Sequence, residues 1–507
     1  MNIETVREES RDEKWFQTDH IKADLKGRSV RGGISTMAAQ VLTFIMTTAQ
    51  TVVLARLLVP EDFGLIAMVS SVTGFVTIFK DLGLSSAIIQ KEKLTQQEVS
   101  SVFWLNVLIC LGIALGIALL SPAIAYFYDE DRLLPITLIF ALNIFIVGFS
   151  IQHGALMRRQ MRFKRLSLIQ LSAVSINILA GILMAWLGFG YWTLVLQGFI
   201  FTVLETIALW TSCDWRPSFS FKILNVKPFV KFGAGISGFD LVNHFSRNMD
   251  DIFVGKFVGS VALGLYSKAY QLLMLPITQL RNPLNSVALP ALSSLQNDEF
   301  RYRGFYTRYL FILAFFSMPT VVYLGVFADE LILIVLGEQW SEAGLLFQLL
   351  AIAAFIQPVL STTGLILITT GKVNRYFKIG LINAICMVSG FGIGVWLDGV
   401  KGVAIANSVV VYALFIPTLW FNLYKSPVSV VQFLREILQP LGFALISGAV
   451  MLFYIHYMSN LNMQLPAIAF CALGFFVGAF TYIGLMAAFS ASREKLMQII
   501  NIRTFFK

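Results

Sequence analysis

Long apolar runs, broken by charged residues, proline or glycine, recur along nearly the whole chain. A helix needs about 20 mostly apolar residues to cross a bilayer. Fourteen runs reach that length, near 34–55, 62–89, 100–121, 133–152, 167–187, 190–211, 229–254, 262–289, 308–328, 344–370, 376–397, 402–421, 436–457 and 465–489. The runs 229–254 and 262–289 both carry charged residues inside. The pattern predicts an all-α polytopic membrane protein with about fourteen transmembrane helices.

The composition agrees with this class. The 507 residues are 57% hydrophobic and only 13% charged, whereas a soluble protein has about 25% charged residues. This excludes a disordered, collagenous or cytosolic protein. The four cysteines are far apart, and we interpret them as small buried hydrophobic residues. We find no Walker A, HExxH or GxSxG motif and no metal-binding spacing, so we expect no enzyme, metal or cofactor.

The basic residues predict how the chain crosses the membrane, because Lys and Arg remain on the cytoplasmic side. With the N-terminus inside, the eight inner segments carry 30 of the 38 Lys and Arg residues. Both termini are therefore expected in the cytoplasm. The net charge of +9 follows from these short loops, and we expect no nucleic-acid partner. Trp15 and Phe16 suggest either contact with the inner leaflet or a mobile tail.

An internal repeat emerges when each residue is compared with the residue 200 positions later. Val30–Gly33 then aligns with Val230–Gly233, and Gly64-Leu65 aligns with Gly264-Leu265. The offset pairs spans 1 and 2 with spans 7 and 8, so the two halves are parallel. The predicted organisation is a tail (1–30), an N-lobe (31–211), a loop (212–228), a C-lobe (229–421), two further helices (436–489) and a tail (490–507).

Polar residues follow one face of the paired spans 1 and 7. Gln40, Thr43, Thr47 and Gln50 lie at i, i+3, i+7 and i+10, and the residues 200 positions later are Asp240, Asn243, Arg247 and Asp250. A charged side chain at the bilayer centre costs about 2.5–3.5 kcal/mol. We therefore predict that these faces border a water-filled cavity between the halves.

The residues predicted to line this cavity are Arg247, Asp250, Asp251, Asp240, Asn243, His244, Lys268, Gln271, Arg281, Gln40 and Gln50. Four residues near span ends are predicted at a gate or interface: Arg56, Lys256, Lys80 and Asp81. Structural alternatives stay open. Arg247 has the spacing for an intrahelical ion pair with Asp250 or Asp251, and Lys80 and Arg281 can snorkel towards the inner interface.

Two sequence segments resemble a known family. The stretch 54–65, Leu-Ala-Arg-Leu-Leu-Val-Pro-Glu-Asp-Phe-Gly-Leu, and the stretch 80–84, Lys-Asp-Leu-Gly-Leu, are similar to bacterial polysaccharide flippases. These are lipid-linked oligosaccharide exporters of the multidrug/oligosaccharidyl-lipid/polysaccharide superfamily. The chain most resembles the branch of colanic acid and teichuronic acid exporters.

The resemblance implies two six-helix lobes in a V around a central cavity. It also implies a polyprenyl-diphosphate-linked oligosaccharide as cargo, moved to the outer leaflet of the bacterial inner membrane. Spans 1, 2, 7 and 8 line the cavity in the family, so Arg247, Lys268 and Arg281 become candidate contacts to the anionic cargo. Expected partners are the cargo, membrane lipids, and the polymerase and glycosyltransferases of the same pathway.

Several alternatives remain at this point. The acidic residues make the predicted cavity mixed in charge, and the Asp250/Asp251 pair is a candidate site for a coupling proton or Na⁺. A multidrug/cation antiporter of the same superfamily would share the two halves. A membrane polymerase, a glycosyltransferase or a scaffold of the synthesis complex is a further alternative, although no connection between spans is long enough to form a catalytic domain.

Overall fold

The computed structural model describes residues 15–16, 25–74, 79–81, 83–219, 248–461, 465–489 and 493. This part of the chain contains fifteen α-helices of seven or more residues and no β-strand. The helices are α1 (Leu25–Leu57), α2 (Pro60–Thr73), α3 (Leu84–Gln90), α4 (Gln96–Tyr128), α5 (Leu133–Arg159), α6 (Phe163–Trp186), α7 (Tyr191–Ser212), α8 (248–257), α9 (Ser260–Ser294), α10 (Glu299–Val326), α11 (Ala328–Val335), α12 (Ala343–Thr369), α13 (Val373–Leu423), α14 (Val430–Asn460) and α15 (Ala467–Ala488).

The helices confirm the predicted all-α membrane class. Ten of the described helices are long and apolar enough to cross a membrane. One of them, α13, has 51 residues and contains two predicted spans, which meet at non-helical Asp398 and Gly399. The predicted span 62–89 corresponds to α2 with α3, and the predicted span 262–289 corresponds to the more polar α9. The predicted span 229–254 lies mostly outside the described residues, which include only its end, in α8. The number of helices is therefore consistent with about fourteen crossings. The short helix α11 was not predicted.

The chain divides into two compact units, Met1–Gly264 and Leu265–Lys507. In the first unit, α4 and α5 pack closely, and a cluster of buried side chains at one end of this pair includes Phe103, Leu156 and Trp215. In the second unit, α12 packs on α10 and α13, and α14 packs on α10. The first unit includes α8. The lobe boundaries expected from the sequence remain a prediction.

Two glycines make a reciprocal contact between α2 and the start of α9. A Cβ atom on Gly64 would lie 1.7 Å from the carbonyl oxygen of Ser260, and one on Gly264 would lie 1.9 Å from that of Pro60. The two contacts are equivalent under the 200-residue repeat, because Gly64 corresponds to Gly264 and Pro60 corresponds to Ser260. Such reciprocity is the property of a two-fold related pair of surfaces. The geometry therefore supports the predicted pairing of span 2 with span 8.

The segment that carries the family resemblance has a local structural role. Pro60 begins α2, where the missing N–H of proline costs no hydrogen bond. The Asp62 carboxylate accepts a hydrogen bond of 3.1 Å from the Val59 backbone N–H, which caps the helix. Glu61 forms a 2.5 Å ion pair with Arg132. The motif thus builds a helix start and ties it to the connection between α4 and α5.

Within each unit, the segments predicted on the cytoplasmic side come together. In the first unit, the Arg159 guanidinium donates to the carbonyl oxygens of Lys91 and Glu92, and the Gln96 side chain donates to that of Arg216. In the second unit, segments 290–308 and 422–436 are joined by Arg303 Nε, which donates to the Pro427 carbonyl oxygen at 2.9 Å. The grouping agrees with the predicted order of helix reversals.

Trp15 and Phe16 pack inside the first unit. Their side chains are only 3% and 6% exposed. The Phe16 carbonyl accepts a hydrogen bond from Arg159 at 3.2 Å, and the Trp15 carbonyl accepts one from Gln160 at 2.8 Å. Neither expectation from the sequence, contact with lipid or a mobile tail, describes these two residues, because their partners are protein groups.

Candidate functional site

The predicted site residues fall into three groups. Asp240, Asn243, His244 and Arg247 lie outside the described residues. The first unit contains Gln40, Gln50, Arg56, Lys80, Asp81, Asp250, Asp251 and Lys256. The second unit contains Lys268, Gln271 and Arg281. Each group is described within its own unit, and the cavity-lining role of these residues remains a prediction.

The polar face of α1 has an exposed part and a buried part. Gln40 is exposed, whereas Gln50 is 6% exposed. The side chains of Gln50 and Gln197 both approach Gly181, whose Cβ position would lie 3.4 Å from Gln50 Nε2 and 2.3 Å from Gln197 Oε1. Gln197 on α7 was not predicted as a polar neighbour, because its own span shows no polar stripe. Two amides from different helices thus lie close to one glycine.

The two consecutive aspartates lie on α8. Asp250 is 8% exposed, and its Oδ1 accepts a 3.0 Å hydrogen bond from the Asp251 backbone N–H. Further along α8, a Cβ atom on Gly255 would lie 2.9 Å from the Tyr128 ring and 3.2 Å from Met68. The close approach at Gly255 fixes α8 against α2 and α4, so the carboxylates sit on a helix held by packing.

The predicted gate residues have different surroundings. The Asp81 carboxylate accepts hydrogen bonds from the Ser85 backbone at 3.0 Å and hydroxyl at 2.7 Å, which stabilises the start of α3. Lys256 Nζ lies 5.3 Å from the centre of the Phe127 ring, a cation–π contact. Arg56 is exposed and Lys80 is half-buried. Asp81 therefore has a structural role, and the gate role of all four stays a prediction.

In the second unit, the charged residues of α9 lie beside polar groups. Lys268 Nζ donates to Gln271 Oε1 at 2.9 Å. The buried Nε of Arg281 has no hydrogen-bond partner among the residues that the structure describes. A buried charged donor without an acceptor is costly. An anionic group bound beside Arg281 would supply that acceptor.

A row of tyrosines on α10 was missed by the sequence analysis. Tyr302, Tyr306 and Tyr309 recur at i, i+4 and i+7, the spacing of one helix face, and this spacing was the signal that could have revealed them. Their hydroxyls bond to Thr369 at 2.7 Å, Thr362 at 2.7 Å and Asn285 at 2.5 Å. Asn285 lies on α9, one turn after Arg281. The row therefore joins the candidate site of α9 to the core of the second unit.

A family model described as "Polysaccharide biosynthesis protein" matches residues 53–345, more than half of the chain. The chain belongs to this family. The match begins just before the 54–65 segment and covers α8 and α9. The resemblance noted in the sequence is thereby confirmed, and the multi-pass membrane character agrees with it.

Three named proteins are similar to this chain over most of their length. The lipopolysaccharide biosynthesis protein WzxC of Escherichia coli K12 is 23% identical over 79% of this chain and 83% of its own. The teichuronic acid biosynthesis protein TuaB of Bacillus subtilis 168 is 25% identical over 84% and 88%. The succinoglycan biosynthesis transport protein ExoT of Rhizobium meliloti 1021 is 25% identical over 70% and 72%.

Solved structures show the same fold. The lipid II flippase MurJ, in an inward closed conformation, superposes with a TM-score of 0.72 at 15% identity, covering 90% of this chain and 98% of MurJ. An inward-facing multidrug transporter of the MATE family superposes with a TM-score of 0.57 at 14% identity, covering 76% and 97%. The chain therefore has the fold of these two transporters.

Proposed function

We propose that this protein is a flippase that moves a polyprenyl-diphosphate-linked oligosaccharide from the cytoplasmic to the outer leaflet of the bacterial inner membrane. The observation that carries the proposal is its membership of the polysaccharide biosynthesis family together with a flippase-type membrane fold. The similarity to WzxC, TuaB and ExoT supports the same pathway class, since their names refer to the biosynthesis of lipopolysaccharide, teichuronic acid and succinoglycan. The protein carries cargo and performs no covalent step.

The proposed orientation places both termini in the cytoplasm. It is supported by the 30 of 38 Lys and Arg residues in the predicted inner segments. Within each unit, contacts between those segments are consistent with one shared side. Polymerase and glycosyltransferases of the pathway are proposed partners, because they would deliver and consume the lipid-linked unit.

The candidate residues supply the chemistry that such a cargo needs. Arg281, Lys268 and Arg247 would contact the diphosphate, since charge-assisted hydrogen bonds to phosphate are about twice as strong as neutral ones. The amides of Gln40, Gln50, Asn243 and Gln271 would bond sugar hydroxyls. The Asp250/Asp251 pair would carry a coupling proton or Na⁺.

The proposed mechanism is alternating access, in which a polar path for the cargo opens to one side of the membrane at a time. The sugar and diphosphate are expensive to place in hydrocarbon, whereas the polyprenyl tail is soluble there. A polar path for the head group lets the tail remain in lipid throughout. The barrier falls because the sugar exchanges water for protein polar groups and water, and never meets acyl chains.

A strain that lacks this protein tests the proposal. Lipid-linked repeat units should accumulate on the inner leaflet, and surface polysaccharide should disappear. A polymerase mutant is the matched control, because its lipid-linked units would accumulate on the outer leaflet. Increased drug sensitivity with normal polysaccharide would instead show a multidrug antiporter. The site assignment fails when Arg247→Ala and Asp250→Asn each leave surface polysaccharide unchanged at normal expression.

A further inference from the structure

The first unit contains a basic cavity at the end where α1 begins and α5 turns into α6. Its volume is about 460 Å³. It is lined by Arg31, Gly32, Ser35, Gln160, Met161, Arg162 and Lys164. Three of these side chains are cationic, and no described lining residue is acidic. The cavity shares none of the residues assigned to the cargo site.

The backbone at this cavity adds positive potential. Arg162 precedes α6 and makes no side-chain capping bond, and the first turn of α6 has no acidic residue. The N–H groups at a helix start favour an anion, and the helix dipole acts in the same direction. The positive end of a 24-residue helix thus coincides with three cationic side chains.

The walls of the cavity are held in place by packing. A Cβ atom on Gly32 would lie 2.6 Å from the Phe163 ring, so α1 and α6 approach closely there. The Arg162 guanidinium lies 4.1 Å from the centre of the Trp15 ring. Gln160 is 4% exposed and donates to the Trp15 carbonyl. A site built on fixed groups loses less conformational entropy on binding.

The depth of the cavity indicates what reaches it. The apolar span within α1 begins at Ser29, so Arg31 and Ser35 belong to its first two turns. Basic residues at this position of a spanning helix lie at the level of the lipid headgroups. Arg and Lys in a concave site at that level match the charge and geometry of phosphate oxygens.

We propose that this cavity binds the phosphate or diphosphate of a membrane-embedded lipid at the cytoplasmic surface. An anionic phospholipid and a polyprenyl diphosphate carry this same chemistry. The cavity is a second anion site, separate from Lys268 and Arg281 of the proposed cargo path. Its occupancy would fix the start of α1 against α6.

The test uses the full-length protein in nanodiscs and a double variant, Arg31→Gln with Lys164→Gln. The matched control is Lys93→Gln with Arg165→Gln, which removes two exposed cations from the same unit outside the cavity. Native mass spectrometry measures binding of phosphatidylglycerol and of a polyprenyl diphosphate, with phosphatidylcholine as the zwitterionic reference. We expect the cavity variant to bind at least one anionic probe about tenfold more weakly, and the control variant to bind like the wild type.

The two probes distinguish the sources of the phosphate. Loss confined to phosphatidylglycerol identifies a resident phospholipid, loss confined to polyprenyl diphosphate identifies a carrier lipid, and loss of both shows a site open to either. Equal binding by wild type, control and cavity variant overturns the proposal, because the cations then serve only the membrane orientation. Surface polysaccharide, measured in the same variants, reports separately on the proposed flippase function.

Discussion

The turn between α5 and α6 and the turn between α12 and α13 have the same backbone. Gln160 N–H donates to the Leu156 carbonyl at 2.9 Å, and 210 residues later Thr370 N–H donates to the Ile366 carbonyl at 3.0 Å. The next residue in each turn is left-handed, Met161 with φ 53° and Gly371 with φ 72°. Both are helix ends closed by a left-handed residue.

The side chains of the two turns have different partners. In the second unit, Lys372 Nζ donates to the Lys425 carbonyl, and Arg375 donates to the Tyr424 carbonyl at 2.6 Å and to that of Phe421. In the first unit, the corresponding turn has Arg162 and Lys164 on the wall of a cavity. The two turns therefore share a backbone and basic positions, whereas the neighbouring segments determine whether the cations bind carbonyls or line a cavity.

The largest loss of stability is expected at Arg159, the residue just before the turn in the first unit. Arg159 is 6% exposed and donates five hydrogen bonds to carbonyl oxygens of Phe16 and segment 88–92. Arg159→Met should destabilise the protein by about 3–5 kcal/mol, since it leaves these carbonyls unpaired. Thr369→Val, at the matching position, should cost about 1 kcal/mol. Thermal unfolding of the purified variants measures the two losses of stability. Equal losses would contradict the different side-chain partners of the two turns.

The next largest change in stability is expected at Arg165 and Arg375, each of which lies four residues after the left-handed residue of its turn. Arg375→Gln should destabilise by about 1–3 kcal/mol, because it removes hydrogen bonds from a charged group to two carbonyls. Arg165→Gln should change stability by less than about 0.5 kcal/mol, because Arg165 is exposed. Denaturation of each variant provides the measurement. A larger loss for Arg165→Gln would refute the different roles assigned to the two turns.

The left-handed residues themselves should respond with opposite signs. Gly371→Ala places a Cβ atom in a left-handed conformation and should cost about 1 kcal/mol. Met161→Gly removes the same strain and should stabilise by up to about 1 kcal/mol, less the entropy that glycine loses on folding. The melting temperatures of the two variants measure these changes in stability. A shift in the same direction for both would show that the turns are not equivalent.

The smallest effect is a pH dependence at Lys372. Burial, followed by the charges of Arg375 and Lys425, lowers the pKa of Lys372 below its ordinary value. The folded state therefore binds fewer protons than the unfolded state just below pH 10.5, so stability should rise with pH in that range. Lys372→Met should flatten this rise. The melting temperature measured from pH 8.5 to 10.5 tests it, and an identical slope in both proteins would contradict the assignment.

The sequence predicted the parts of the fold that depend on local patterns. The length of the apolar runs identified the helices. The 200-residue offset found the repeat, in which Gly64 and Gly264 make equivalent close contacts. Contacts between distant segments left no such pattern. Arg159 is one of several basic residues in predicted loops, and only the fold brings segment 88–92 and Phe16 to it. The basic cavity was missed for the same reason, because Arg31 and Arg162 are far apart in sequence.

In the candidate site, too, local patterns were predictable and contacts between distant segments were not. Charge within apolar runs identified Asp250, Lys268 and Arg281, because charged residues in a spanning helix need polar surroundings. Their individual partners were not predictable. Gln197 comes close to Gly181 through the packing of α7 on α6, and Tyr309 contacts Asn285 of α9 through the packing of the second unit.

The flippase function is tested directly by the transfer of a fluorescent polyprenyl-diphosphate oligosaccharide across the membrane of proteoliposomes that contain the purified protein. The assay is run with and without proton and sodium gradients and reads the fraction of cargo that reaches the opposite leaflet. The wild type and Lys93→Gln should transfer the cargo well above empty liposomes, whereas Asp250→Asn and Arg281→Gln should lose most of that transfer. No transfer by the wild type under any gradient would contradict the flippase function, and full transfer by both variants would contradict the proposed path.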